Sequence, residues 1–345
     1  LALVIALALG TTSIAATVTI GHRVDTNHSI HLGLVAAAEL FANKRADITV
    51  EIAHGIPDDK FITLVLGGVP TDLHFIDGPL VSSHALRGLI QPIGKYVEAS
   101  GIDKRDFVPP AWEQNVWENE IWAMPVIVDP NFALVWNKEV FENAGLSSDL
   151  GPATLADYEA YHKRLTRYAD SKLEQIGTVP WEVYGEPNTM YTWGWIFGGS
   201  FYEPSTKQVT AHHPHNVEAL EWLRDYHTCY SSELGTLNAG LPSGRNRFTA
   251  GREAMRFFTT GDLFNFLRVA PDVSVGVGKM PYRPESGVTD PAWVGGWCVA
   301  MPAGADNPDA AWEFLRFISA DPEGTAAYAT ASGWFPGFLR TPVFR

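Results

Sequence analysis

Cysteine is nearly missing: Cys229 and Cys298 are the two in 345 residues. Two cysteines cannot staple a disulfide scaffold, and neither stands in a C-x-x-C metal or redox spacing. One disulfide and two buried thiols both fit that count. Basic residues are also few, with 25 Lys and Arg against 39 Asp and Glu, for a formal net charge of -14. No basic run is present, which argues against nucleic acid and acidic membrane surfaces as partners, because clustered cations hold both. Past the first residues, no stretch reaches the roughly 20 apolar residues of a membrane-spanning helix, and none is disordered by composition. Enzyme motifs are lacking too. There is no G-x-S-x-G elbow, H-E-x-x-H, P-loop or dinucleotide glycine fingerprint opening a helix. No catalytic residue, metal site or cofactor is therefore assigned, and the chain is expected not to be an enzyme.

The one long apolar run opens the chain. LALVIALALGTTSIAA, residues 1–16, resembles the end of a secretory signal peptide, with Ser13-Ile14-Ala15 or the adjacent Ala16 as a small-x-small cleavage site. Leu1 to Leu9 is too short to cross a bilayer, so export to the periplasm or the extracellular space is expected. No cysteine ends the run, so a lipid anchor is not indicated.

At 345 residues, with 46% hydrophobic and 19% charged, the chain is globular and too long for one ordinary core, which predicts two domains. ATVTIGH reads as a strand, IHLGLVAAAELFANK as a helix, ITVEIAH as a strand, DDKFITLVLGG as a helix stopped by Gly67 and Gly68, and TDLHFID as a strand. Strands alternating with helices imply βαβ units and a mainly parallel sheet. Later helices carry punctuation: Asn137 before KEVFENAG, Asn307-Pro308 before DAAWEFLRFIS and Asp321-Pro322 before EGTAAYATASG are cap and first-turn signals.

Five segments, in order, resemble the family 1 extracellular solute-binding proteins of ABC sugar importers, the maltose-binding-protein-like group. They are LGGVPTDLHFID (66–77), ENEIWAMPVIVDPNFALVWNKEVFENAGL (118–146), GGSFYEPSTKQVTAHHPHNVEALEWLRDY (198–226), FTAGREAMRFFTTGD (248–262) and WVGGWCVAMPAGADNPDAAWEFLRFIS (293–319). The match runs from about Thr17 to Phe338. The resemblance implies a two-lobed type II periplasmic-binding-protein fold, each lobe a mainly parallel sheet flanked by helices, with a ligand in the interlobe cleft. Lobe 1 would comprise 17–125 and 278–320, and lobe 2 would comprise 126–277 and 321–345, truncated at the C-terminus relative to the family. It also implies a monomer that captures a mono- or oligosaccharide and delivers it to a membrane permease. Two features depart from the family pattern: the Pro70-Thr71-Asp72 turn carries an inserted residue, and histidines 22, 28, 31 and 74 have no counterpart.

A sugar offers polar edges and apolar C–H faces, so its receptor needs aromatic faces beside a few fixed donors and acceptors. Open α/β sheets bind ligands outside the carboxyl ends of their strands. His22 and Asp25 after the first strand, Asp77 after HFI, Asp129 and Asn131 at the first crossing between lobes, and Gly295 and Trp297 at the second are the candidates. Asp77 is equally ordinary as a turn residue before Pro79, while for Trp297 the adjacent glycines, which let a ligand approach the backbone, favour the cleft over plain core. Trp334, in SGWFPGF, falls where the family has a Gly- and Pro-rich cleft loop. Within TWGWIFGGSFY (192–202), helical spacing puts Met190, Trp193 and Phe197 on one side and Tyr191 and Trp195 on another. Glu186, Tyr191 and Trp193 are assigned to the ligand, Trp195 and Phe197 to packing. HHPH (212–215) reads as a turn capped by His215 or Asn216, because no carboxylate or cysteine completes a ligand spacing. Two readings compete with saccharide binding: a non-sugar solute such as a polyamine, metal or peptide, and a glycoside hydrolase, which needs two carboxylates about 5–10 Å apart.

Overall fold

A computed structural model describes residues 16–183 and 186–344. The expected leader lies almost wholly outside these residues, as do the side chains of Asn131 and Glu186. In chain order the elements that matter here are β1 (Ala16–Gly21), α1 (Ser29–Lys44), β2 (Ile48–Ala53), α2 (Asp58–Leu66), β3 (Leu73–Asp77), β4 (Ala123–Asn131) and β5 (Ala133–Asn137). They continue as α3 (Glu186–Ile196), α4 (Pro214–Tyr230), β6 (Met255–Phe258), α5 (Thr260–Val269), β7 (Val275–Gly278), β8 (Trp293–Ala300), α6 (Pro308–Ala320), α7 (Pro322–Ser332) and β9 (Phe335–Pro336). Two compact units result: residues up to Val128 with those from Gly295 onward, and Asp129–Val294. No helix of the described residues is long and apolar enough to cross a membrane.

Unit 1 is built on a six-stranded sheet of order β9-β4-β8-β3-β1-β2. The β1-α1-β2-α2-β3 alternation gives the parallel half, with Ile20 beside both Ile52 and Leu73. β8 then returns antiparallel to β3, with Trp297 opposite Asp77. Val18, Ile20, Leu34, Leu73 and Phe314 are fully buried in its core. The Phe41 ring of α1 lies 5.2 Å from both Phe314 and Phe317 of α6.

The last segment belongs to this unit, which corrects the assignment of 321–345 to the second lobe. The cause is the apolar side of α7: Tyr328, 1% exposed, stacks on Phe75 of β3 at 6.1 Å. β9 also pairs with β4 through Phe335–Val128. Residues 278–294 move the other way, into unit 2, because buried Met280 accepts the Phe132 backbone N–H through its sulfur at 3.3 Å and Tyr282 bridges Thr154.

In unit 2, β5 lies between β6 and β7 and is antiparallel to both, with Trp136 facing Met255 and Gly276. β6 and β7 therefore run the same way and are joined by α5, a crossover with an earlier strand slotted into it. The expected mainly parallel sheet is thus mixed in unit 1 and antiparallel between neighbours in unit 2.

Two of the anticipated caps form: Asn137 Oδ1 accepts the Val140 N–H, and Asp321 accepts those of Glu323 and Gly324. Asn307 does otherwise. Its amide donates to the Thr17 carbonyl at 3.0 Å and its backbone N–H to Asp72 at 2.9 Å, fastening the start of α6 to β1. His213, not His215 or Asn216, caps α4 by accepting the His215 N–H. Both cysteines are free thiols, Cys229 exposed and Cys298 buried.

Candidate functional site

In unit 1 the ends of β1, β3 and β8 bring Arg23, Asp77 and Trp297 together. Strand pairing fixes the last two, because Trp297 is the register partner of Asp77. The Arg23 guanidinium lies 4.2 Å from the centre of the half-buried Trp297 ring, a cation–π distance. Burial raises the Asp77 carboxyl above its ordinary range, and the Arg23 charge opposes that rise. Gln114 completes the group. A Cβ on Gly78 would sit 2.1 Å from its Oε1, so that glycine clears the space this amide fills, while one on Gly296 would sit 2.2 Å from the Ile127 carbonyl oxygen and 3.3 Å from the Gln114 Nε2. Its Nε2 is buried without a hydrogen-bond partner. Arrayed polar groups beside a half-covered indole can hydrogen-bond hydroxyls from one side.

Other expected residues around this group behave differently. Asp25 is exposed, and its carbonyl accepts the His28 N–H. Gly295 is buried in β8. His22 is 1% exposed, and its Nε2 lies 2.9 Å from His31 Nδ1. Its ring therefore faces a histidine cluster and not solvent. Trp334 is a correction: it is buried in the core of unit 1, and its Nε1 donates to the buried Ser29 hydroxyl at 2.9 Å. An indole that reaches a buried hydroxyl from an apolar core is structural.

In unit 2 helix α3 presents two unlike faces. Trp193 is fully buried against Tyr158, Trp222 and Phe257, with ring centres 4.4 to 5.7 Å away. Its Nε1 donates to the Pro180 carbonyl at 2.7 Å. That overturns its assignment to the ligand. On the other face Tyr191, 40% exposed, stacks on half-buried Trp195 at 5.6 Å and 21°. Both rings meet Phe201 edge-on, and Trp293 stands 5.7 Å from Trp195. Trp193 is therefore core, Trp195 is half-buried among aromatic rings, and Phe197 packs as expected. The signal lay in the spacing. Met190, Trp193, Ile196 and Phe197 extend one apolar stripe over two turns, and the longer stripe is the buried one. Trp195, Trp293, Arg23 and Gln114 are the members that sequence reasoning did not select.

Deeper in unit 2 a cavity of about 340 Å³ is lined by Glu182, Arg256, Phe257, Phe258, Asp262 and Phe266, among others. Glu182 is gripped by Arg247, whose guanidinium also pairs with Glu253 at 3.3 Å. Glu253, 1% exposed, is pushed up by burial while Arg256 and Arg247 hold it down. Asp129 is buried, and its Oδ1 accepts the Thr260 hydroxyl at 3.4 Å. A groove of unit 1 of about 1030 Å³, edged by Lys95, Asp103, Trp112 and Glu120, shares no residue with the strand-end group. Its walls are mixed in charge and open, so size alone does not make it the site. Among the described residues, no set of three or more His, Cys, Asp or Glu side chains is arranged to hold a metal ion.

Residues 36–340 match the family described as bacterial extracellular solute-binding protein. A maltotriose-binding protein of Pyrococcus abyssi (strain GE5 / Orsay) is 22% identical over 265 residues, 74% of this chain and 52% of that protein. The chain therefore spans about half the length of that relative. Two solved structures resemble it closely in fold. CpMnBP1 with mannobiose bound has a TM-score of 0.79 at 21% identity, covering 94% of this chain and 83% of that one. The ABC substrate-binding protein Lmo0181 from Listeria monocytogenes, in complex with cycloalternan, has a TM-score of 0.77 at 21% identity, covering 94% and 80%. At such identity the likeness establishes the fold, that of the two-lobed α/β binding proteins.

Proposed function

Because the chain belongs to the bacterial extracellular solute-binding proteins, we propose that it is the exported, saccharide-capturing component of an ABC importer. The observation that carries this reading is the half-exposed Tyr191–Trp195 stack flanked by Trp293. A flat aromatic face of that kind suits the C–H face of a pyranose, and few soluble proteins leave such rings in contact with water without a use for them. The strand-end group of unit 1, taken by itself, offers Arg23 and Gln114 as donors and Asp77 as acceptor for hydroxyls, and hydrogen bonds to charged groups contribute about 1.5–3 kcal/mol each. The relatives named above hold maltotriose, mannobiose and cycloalternan, and an oligosaccharide is the ligand we infer here. Delivery to a membrane permease, action as a monomer and the absence of catalysis belong to the same reading.

The test is calorimetric titration of the purified chain with maltotriose, mannobiose and cycloalternan, alongside chromogenic glycosides. Micromolar binding of one of the three without turnover is expected. Trp195→Ala and Asp77→Asn should each weaken it about 10- to 100-fold, the equivalent of roughly 1.4–2.7 kcal/mol, with little change in melting temperature. Binding of a polyamine or peptide in place of every sugar would overturn the saccharide reading. Turnover abolished by removing one carboxylate would overturn the transport reading.

A further inference from the structure

Six of the eleven histidines lie between residues 22 and 84, all in unit 1, and neither recognition group uses them. Their centre is a pair. His22 Nε2 and His31 Nδ1 are 2.9 Å apart, with ring centres 5.1 Å apart and edge to face. The His54 ring continues the array 6.1 Å from His31. Two facing imidazole nitrogens at that distance need one proton between them, one ring donating and the other accepting. One further proton makes a single cation and keeps the hydrogen bond, and a second turns it into two cations in contact.

Among the described residues, no carboxylate offsets this charge. His28 and His31 act on His22 from α1, and His54 acts from the segment after β2. From β3, His74 couples to His22 on one side and to His84 on the other. His84 has an acid of its own, Asp58, at 2.8 Å, and Arg87 lies near it. Within its own loop His22 is followed by Arg23 and then by exposed Asp25. No carboxylate is among the groups acting on His22 or His31. Burial, with the neighbouring rings, accordingly lowers His22 to about 4, and burial with His54 holds His31 below its usual value. The pair also bears on the recognition group. The His22 backbone is bonded to Ala53 and Ile56, and the next residue carries the guanidinium that lies over Trp297.

We propose that the His22–His31 pair is a proton-operated latch on the strand-end group of unit 1: neutral, it holds the segment that sets Arg23 over Trp297, and doubly protonated it releases that segment and weakens ligand binding. The proposal rests on the saccharide reading for its ligand but not for the latch itself. Direction follows from linkage. A histidine whose value is lower in the latched form than when free takes up protons on release, so the latched form is favoured fully above about pH 6.5, the ordinary histidine value. It is lost progressively as pH falls from there towards about 4.

The full chain is titrated with maltotriose, mannobiose and cycloalternan at pH 7.5 and 5.0, as wild type, His31→Gln and His54→Gln. Wild type and His54→Gln, which keep the pair, should lose about tenfold or more in affinity on acidification, the equivalent of one shifted pKa unit. His31→Gln keeps a neutral hydrogen-bonding side chain and should lose less than about threefold on the same scale. In parallel, histidine ring NMR of the ligand-free protein should show His22 and His31 titrating together well below their usual value, with His22 rising in His31→Gln. Wild-type affinity that is flat between the two pH values, or an equal loss in His31→Gln, would overturn the latch. If no sugar binds at pH 7.5, the saccharide reading fails by itself. The NMR titration then decides the latch, and independent His22 and His31 titrations near their ordinary value would sink it.

Discussion

Replacing Trp193 with alanine should destabilise unit 2 by about 3–5 kcal/mol, the range for deleting a buried large aromatic side chain. The ring is fully enclosed, touches Tyr158, Trp222 and Phe257, and anchors its N–H on Pro180. Truncation leaves a cavity lined by aromatic rings that cannot collapse into it without giving up packing such as the Tyr158–Phe257 contact at 5.9 Å, and it leaves the Pro180 carbonyl without its donor. Trp195→Ala, two residues on, should cost less, because that ring is only half-buried while Trp193 is fully enclosed. The contrast is read by denaturant unfolding of both variants, together with saccharide titration of whatever remains folded. Trp193→Ala should retain near wild-type affinity in its folded fraction. The reverse pattern, a stable Trp193→Ala that no longer binds sugar, would return Trp193 to the ligand.

The second large effect is expected at Arg247. Its guanidinium, 6% exposed, links Glu182 and Glu253, and Glu253 is 1% exposed. Arg247→Met removes one partner of a buried ionic group and should cost about 3–5 kcal/mol, because Glu253 is left with Arg256 alone at 3.4 Å. The double variant Arg247→Met, Glu253→Leu should recover much of that loss, since removing both charges abolishes the desolvation cost as well as the attraction. The pH dependence carries a sign. Burial raises the folded Glu253 carboxyl above its ordinary value, so its ionised form is a cost at neutral pH that acid removes. The deficit of Arg247→Met relative to wild type should therefore shrink between pH 7 and pH 4.5, read as the difference between urea midpoints. An unchanged deficit would mean that the arginine acts through packing of its aliphatic stem.

How much was legible follows the range of each interaction. Asp77 and Trp297 were accessible to strand-end reasoning, since a carboxylate closing an apolar strand and an indole after two glycines both signal a sheet rim. Gln114 was not. Nothing in WEQNV marks it, and only its amide standing where a Gly78 Cβ would be shows what that glycine is for. The histidines stood out by frequency alone. Their pairing depends on the turn between β1 and α1, which brings residues nine apart within one hydrogen bond.

What the amino-acid sequence determined by itself was set by neighbours in the chain: the alternation that makes β1 to β3 parallel, the caps at Asn137 and Asp321, the proline that opens α6, and the two faces of α3. Periods of two and 3.6 and one-turn hydrogen bonds act within a few residues, so they can be read locally. The tertiary structure alone decided which face of α3 is core, which unit takes α7, and that β5 enters between β6 and β7. Those outcomes turn on the burial of apolar surface against partners tens to hundreds of residues away, where several local solutions are equally good and packing selects one.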